Sequence, residues 1–196
     1  MEGVEQIIAD RKNGQAMRPA LHGREWDMVF DVSASVMVAS LENIAELLEQ
    51  LDGHCGIYEF VSSIGAYRTG NGVIPWTDTL PTTHAGPTSY GGHKAAVESL
   101  LAERRAQRLP AYTVLRPAGM YGPYDNIPDG EIAMSLPLAQ GRPALVPHAG
   151  LVCFPYGHVA DLALAILLAA TAPAAIGEVF NLTAEAVTTS QLLVKS

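Results

Sequence analysis

Tyr90-Gly-Gly-His-Lys94 places a phenol and an ammonium one helical turn apart, downstream of an apolar segment that ends in Ser62-Ser63. A free tyrosine titrates near pH ~10 and is a poor base at neutrality, but a cation at i+4 on the same helix face favours the phenolate and lowers that value. Ser63 would hold the substrate oxygen that Tyr90 protonates or deprotonates. Ser63, Tyr90 and Lys94 are therefore the candidate catalytic residues, and the chemistry expected of them is proton transfer at a hydroxyl or a carbonyl.

These groups need elements to position them. Residues 4–9 and 26–32 are short apolar-rich segments with a helix-compatible stretch at 15–21 between them, which reads as strand, helix, strand. Residues 33–51 carry Val36, Val38, Leu41, Ile44, Leu47, Leu48 and Leu51 at helical spacing, with Gly53 as a stop signal. A buried strand follows at 57–61, then a long functional loop over 65–87, rich in Gly, Pro and Thr. The Tyr-Lys helix spans 89–108 and ends before Pro110; 112–115 is a strand stopped by Arg116-Pro117. Beyond a loop at 119–129, helices are expected at 131–139, 159–170 and 190–194, and short strands at 144–146 and 179–182.

Strands that alternate with helices, each strand a continuous apolar run, predict a mainly parallel sheet covered by helices on both faces, a doubly wound α/β fold. Ligands then bind at the carboxyl ends of the strands. Asp10, Ser33, Ser63 and Arg116-Pro117 all lie where a predicted strand gives way to a loop, so one fold brings them to one rim. The chain reads as a single domain over 1–196, with 1–116 forming the sheet and 117–196 an interleaved substrate-binding part and closing elements.

Composition narrows the function classes. Twelve Lys+Arg against 20 Asp+Glu give a formal charge of −8, which disfavours nucleic acid and anionic lipid as partners. Arg104, Arg105 and Arg108 cluster, and read as the solvated end of a helix. Cys55 and Cys153 lack CxxC spacing and a companion His array, so they read as reduced thiols of a cytoplasmic protein, with no metal site. The apolar run 162–172 is shorter than the ~20 residues that span a bilayer and reads as a buried helix. Residues 125–130 superficially suggest a calcium loop, but Ile127 and Pro128 occupy positions that should offer oxygen. No Gly-x-Ser-x-Gly elbow occurs, which removes the serine-hydrolase reading.

Ile57-Tyr-Glu-Phe-Val-Ser-Ser-Ile-Gly-Ala-Tyr67, Tyr90-Gly-Gly-His-Lys94 and Leu115-Arg-Pro-Ala-Gly-Met-Tyr-Gly-Pro123 occur in that order, followed by His158-Val-Ala-Asp-Leu162 and Glu178-Val-Phe-Asn-Leu182. Together they resemble the extended short-chain dehydrogenase/reductases, the NAD-dependent epimerase/dehydratase family. The resemblance implies a Rossmann-like fold, an NAD or NADP cofactor and a small-molecule substrate carrying a hydroxyl or keto group. It implies that Tyr90 is the acid/base, that Lys94 binds the nicotinamide ribose and tunes the phenol, and that Ser63 orients the substrate. Ser62 helps close the strand end near the cofactor. Asp10 sits where the family places an acid against the adenine, and equally where a helix-capping aspartate would stand. Ser33 and Ala34 match the segment passing the cofactor ribose, and Pro117 to Met120 approach the nicotinamide carboxamide. His93 and His158 read as structural. Family members often dimerise through the Tyr-Lys helix, which Val97, Leu100 and Leu101 permit, so a homodimer is an expected assembly.

Two departures from the pattern stand out. The family opens with a strand, a Gly-rich turn and a helix whose start receives the pyrophosphate, whereas here residues 1–10 resemble its third strand. The expectation is that the earlier elements lie upstream of Met1, so that the shortened, incomplete sheet binds NAD poorly by itself and leaves an apolar edge exposed. The second departure concerns substrate. Nucleotide-sugar members carry an Arg-Asp-Tyr-Ile-His run where Phe154-Pro-Tyr-Gly-His158 stands here, so a phosphate-gripping arginine is replaced by Phe154. Asn126 and Arg142 are the remaining substrate-binding candidates. This pattern is also similar to a side branch of the family that includes chloroplast stem-loop-binding proteins, which keeps a non-catalytic or RNA-associated relative as the alternative.

Overall fold

An apolar run too short for a helix becomes a strand only where a neighbour completes its hydrogen-bond ladder. In the computed structural model, which describes residues 3–68, 75–83, 86–105, 110–125, 130–145, 153–184 and 187–189, three such runs pair in register. Strand β1 (Trp26–Asp31) lies parallel to β2 (Cys55–Val61), with Trp26 opposite Cys55 and Asp31 opposite Phe60. Strand β2 lies parallel to β3 (Ala111–Pro117), with Ile57 opposite Ala111 and Val61 opposite Leu115. With β6 (Val179–Leu182) the sheet order is β1-β2-β3-β6. This register brings Asp31, Val61 and Leu115 close to level at one end of the sheet.

Helices α1 (Gly14–Leu21), α2 (Leu41–Leu51) and α3 (Tyr90–Arg104) belong to the same layer. Ile44, Leu47, Leu48, Leu51, Val97 and Leu101 bury against Tyr58, Phe60, Tyr112 and Val114 of the strands, and this is the core. Arg104 ties α3 to α2 through the Ala45 carbonyl at 3.2 Å and Glu49 at 3.1 Å. It is therefore spent on packing and is not the solvated charge the sequence suggested; Arg108 lies outside the described residues.

The chain divides into two compact units. One holds Met1–Arg116 and Leu168–Phe180, the other Pro117–Leu167 and Asn181–Ser196. The second unit contains β4 (Gly119–Tyr121), α4 (Gly130–Ala139), β5 (Cys153–His158), β7 (Val187–Thr189) and most of α5 (Val159–Thr171). Its sheet runs β4-β5-β7, parallel then antiparallel.

Several expectations from local pattern need correction. Residues 4–9 form no strand, and Val4 and Ile8 are 62% and 90% exposed: β1 is the edge of its sheet, and the run does not add to its free side, so its backbone joins no ladder among the described residues. Helix α2 starts at Leu41 rather than 33, because Ser40 and Asn43 close a capping box and Asp31 Oδ1 accepts the Ser33 and Ala34 N–H groups, turning the chain before it. Residues 119–121, expected in a loop, form β4 by pairing with β5. Strands β5 and β7 went unread because Pro155 and Gly157 interrupt one and the other is three residues long. Residues 144 and 145 lie in no strand, and the helix expected at 190–194 falls outside the described residues. Helix α5, expected to be buried, exposes Leu164, Leu167 and Leu168, since apolarity records what a residue prefers and not how far the fold buries it.

Candidate functional site

The site is assembled where β2 ends and α3 begins. Past Val61 the chain makes one 3₁₀ turn (Ile64–Ala66) capped by Ser63, whose Oγ accepts the Gly65 N–H at 3.0 Å. Helix α3 starts beside it, with Ser89 as N-cap accepting the Gly92 N–H at 3.1 Å. The glycines inside Tyr90-Gly-Gly-His-Lys94 are required by this approach. A Cβ on Gly91 would strike the Gly65 carbonyl oxygen, and one on Gly92 the Gly86 carbonyl oxygen. The turn and the helix start thereby meet backbone to backbone.

Ser63, Tyr90 and Lys94 converge. A Cβ placed on Gly65 would lie 3.3 Å from Ser63 Oγ and 3.5 Å from Tyr90 Cε1, so the hydroxyl and the ring border one small space. Lys94 Nζ stands 5.8 Å from the Tyr90 ring centroid and 4.8 Å from that of Phe60, and donates to the Val61 carbonyl at 2.6 Å. Tyr90 is 53% exposed and Lys94 only 3%: the phenol faces solvent while the ammonium is held beneath it. Burial pushes the Lys94 ammonium down to about 8, against the opposing pull of Asp31. Chemically, such a set can hold an oxygen at Ser63 and exchange a proton with it through the phenol.

Two buried networks that sequence reasoning missed brace this site. Glu98, one turn beyond Lys94, accepts Arg116 Nε at 3.0 Å and Nη2 at 2.5 Å, and also the Ser62 hydroxyl at 2.5 Å. Arg116 also donates to the Asp78 carbonyl at 3.2 Å and stacks 4.5 Å from the Tyr67 ring. The second network centres on Asp31, which accepts Arg11 Nη1 at 2.6 Å and hydrogen bonds from Arg11 Nη2 and the Tyr58 hydroxyl. The i, i+4 spacing of Lys94 and Glu98 was a usable signal for the first network. The Arg11–Asp31 pair carried none, being 20 residues apart, with Arg11 in the turn before α1 and Asp31 at the end of β1.

The other sequence candidates distribute unevenly. Ser62 is buried on Glu98. Ser33 is exposed at the rim with its Oγ accepting Arg11 Nη1 at 2.7 Å, whereas the Ala34 methyl is buried in the core. Asp10 accepts the Lys12 N–H at 3.0 Å and is not the cap of α1; that role belongs to Asn13. His93 is buried, and burial and the Lys94 charge hold its pKa below the usual value. Pro117 and Met120 belong to the second unit, where they line a pocket of about 150 Å³ with His158, Asp161, Asn181 and Leu182. Arg142 is exposed and donates to Gln140, and Asn126 lies outside the described residues. Among the described residues no group of three or more His, Cys, Asp or Glu side chains is placed to hold a metal, and no helix is long and apolar enough to cross a membrane.

Comparison with known proteins decides the family. The model of the NAD dependent epimerase/dehydratase family matches residues 24–183. The chain belongs to that family. Its sequence is 30% identical to the chloroplast stem-loop binding protein of 41 kDa b of Arabidopsis thaliana, over 97% of this chain but 47% of that protein. The chain therefore spans about half the length of this curated relative. Its fold is similar to dTDP-glucose 4,6-dehydratase of Bacillus anthracis in complex with NAD (TM-score 0.81, 21% identity, 96% of this chain and 61% of that one). It is likewise similar to UDP-glucose 4-epimerase of Thermotoga maritima with UDP-glucose (TM-score 0.76, 26% identity, 95% of this chain and 64% of that one). The mainly parallel, Rossmann-like architecture expected from the sequence is thus the observed one.

The donor set fits the ribose end of a nicotinamide nucleotide. A lysine ammonium carries three donors, and Lys94 gives one, to Val61, leaving the others for vicinal hydroxyls at the rim. For the diphosphate the sequence offers no Gly-x-x-Gly-x-x-Gly turn.

Proposed function

We propose that this chain carries the proton-transfer machinery of an NAD(P)-dependent oxidoreductase of the epimerase/dehydratase type, acting on a hydroxyl- or keto-bearing, sugar-like small molecule. The single observation that carries the reading is the convergence of Ser63 Oγ and the Tyr90 ring on one space, with Lys94 Nζ 5.8 Å from that ring. Ser63 holds the substrate oxygen. Tyr90 takes the hydroxyl proton as the carbon is oxidised, or returns it to the carbonyl in the reverse direction. Lys94 binds the ribose hydroxyls beside the phenol. The nicotinamide, when bound, supplies hydride acceptance and donation at the substrate carbon. Arg116 and Glu98 fix Ser62, and through it the neighbouring Ser63, against α3.

The test is turnover of a panel of nucleotide-sugars and simpler hydroxyl or keto compounds with NAD and NADP, followed by product chromatography for redox-neutral epimerisation or dehydration and by nicotinamide absorbance for net oxidation or reduction. Tyr90→Phe is expected to lose roughly two to four decades of rate with cofactor binding retained. Retention of more than a tenth of the activity overturns the assignment. A second reading, an RNA-associated relative, is favoured by the name of the Arabidopsis protein and opposed by the charge of −8.

A further inference from the structure

A buried ammonium must be compensated, because desolvation penalises the charged form. Lys94 is 3% exposed, its one hydrogen bond goes to a neutral carbonyl, and it forms no ion pair among the described residues. Its counter-charge acts across a larger gap. The groups around it are Asp31 from β1, Arg11 from the segment before α1, and Tyr90, His93 and Glu98 from α3 itself; β2 presents Phe60 and the Val61 carbonyl, neither charged.

Both carboxylates are gripped bidentately by an arginine, Glu98 by Arg116 and Asp31 by Arg11. Asp31 is placed differently. It ends β1 opposite Phe60, the residue whose ring lies 4.8 Å below Lys94 Nζ, and in a parallel pair such partners share a face of the sheet. The Tyr58 hydroxyl, from that same face, donates to the Asp31 carboxylate and confirms the direction. Arg11 and the Ser33 and Ala34 N–H groups complete the shell, so the carboxylate cannot rotate away.

We propose that Asp31, clamped by Arg11 and Tyr58, is a positioning residue for Lys94, providing the fixed counter-charge that holds a buried ammonium beneath Tyr90. The inference rests on the reading of Lys94 as the ribose-binding group beside Tyr90. Arg11 opposes it: its guanidinium anchors Asp31 but repels Lys94, and of the two the Asp31 influence on Lys94 is the larger.

This arrangement makes opposite-signed predictions for two neighbouring variants. The ionisation midpoint of Lys94 is read by NMR from its Cε shift across an alkaline titration of the protein without substrate or cofactor, the resonance being assigned with Lys94→Arg. Asp31→Asn is expected to lower the midpoint by about one pH unit or more. Arg11→Gln is expected to raise it, since Asp31 stays ionised at the alkaline pH where Lys94 titrates. An unmoved midpoint in Asp31→Asn, or shifts of the same sign in both variants, overturns the proposal. Should Asp31→Asn fail to fold by circular dichroism, Arg11→Gln decides alone, and a midpoint that falls or stays put in it is the overturning result. Because the titration needs no turnover, it stands apart from failure of the functional reading, which the Tyr90→Phe assay detects.

Discussion

Glu59 sits in an environment far from that of an ordinary carboxylate. It lies within β2, fully buried between Phe30 and Thr113, and neither carboxylate oxygen has a hydrogen-bond partner; the Thr113 hydroxyl goes instead to the Ala175 carbonyl. Burial pushes its pKa up to about 7 from an ordinary 4.5. The folded state therefore holds this proton more tightly than the unfolded chain does. Stability contributed by the protonated form is complete below the unfolded value, falls as pH rises between about 4.5 and about 7, and is gone above. The shift corresponds to about 3 kcal/mol. Urea denaturation across this range should show wild-type stability falling with pH and Glu59→Gln nearly flat; equal slopes in both would remove the account. Ser63, Tyr90 and Lys94 were legible because their spacing is local to one helix and one strand end. Glu59 was visible as an acid within an apolar run, but its lack of a partner depends on the strands to either side.

At the scale of elements, the site depends on how closely α3 approaches the turn after β2. Glycine inside a helix normally costs about 1 kcal/mol relative to alanine, so replacing one usually stabilises. Position 91 is expected to behave in the opposite sense, because the added methyl meets the Gly65 carbonyl oxygen, a backbone atom that cannot swing aside. Overpacking of this kind costs about 1–3 kcal/mol and outweighs the propensity gain. Gly91→Ala should therefore lower the denaturation midpoint and displace Ser63 from Tyr90, with turnover falling more than stability alone explains. A Gly91→Ala protein as stable as wild type would show that the contact relaxes freely. The start of α2 carries a related lesson. Val36 and Val38 keep the helical period but stay outside the helix, since the Ser40–Asn43 box and the Asp31 carboxylate claim the backbone donors first. Periodicity located the apolar face of α2 correctly and misplaced its beginning, because capping is decided by individual hydrogen bonds.

For the whole molecule, what the sequence concealed is which apolar surfaces find a neighbour. Residues 4–8 and Leu164, Leu167 and Leu168 of α5 are as apolar as the core strands, yet they lie exposed, so hydropathy alone could not separate them. Charge was more readable. The total of −8 was legible at once, and the structure adds that four of the 12 basic residues are already paired among the described residues: Arg11 to Asp31, Arg24 to Glu5, Arg104 to Glu49 and Arg116 to Glu98. Phosphate binding draws on cations that can trade counterions for the backbone of the nucleic acid, and an arginine paired with its own carboxylate has little to trade. A hairpin RNA in a filter-binding assay should accordingly be held more weakly than about 1 μM at near-physiological salt, with any low-salt retention vanishing steeply as salt rises. Submicromolar retention that survives added salt would require contacts other than phosphate neutralisation, and would turn the choice of function from the Tyr90 proton-transfer chemistry to the RNA-associated reading.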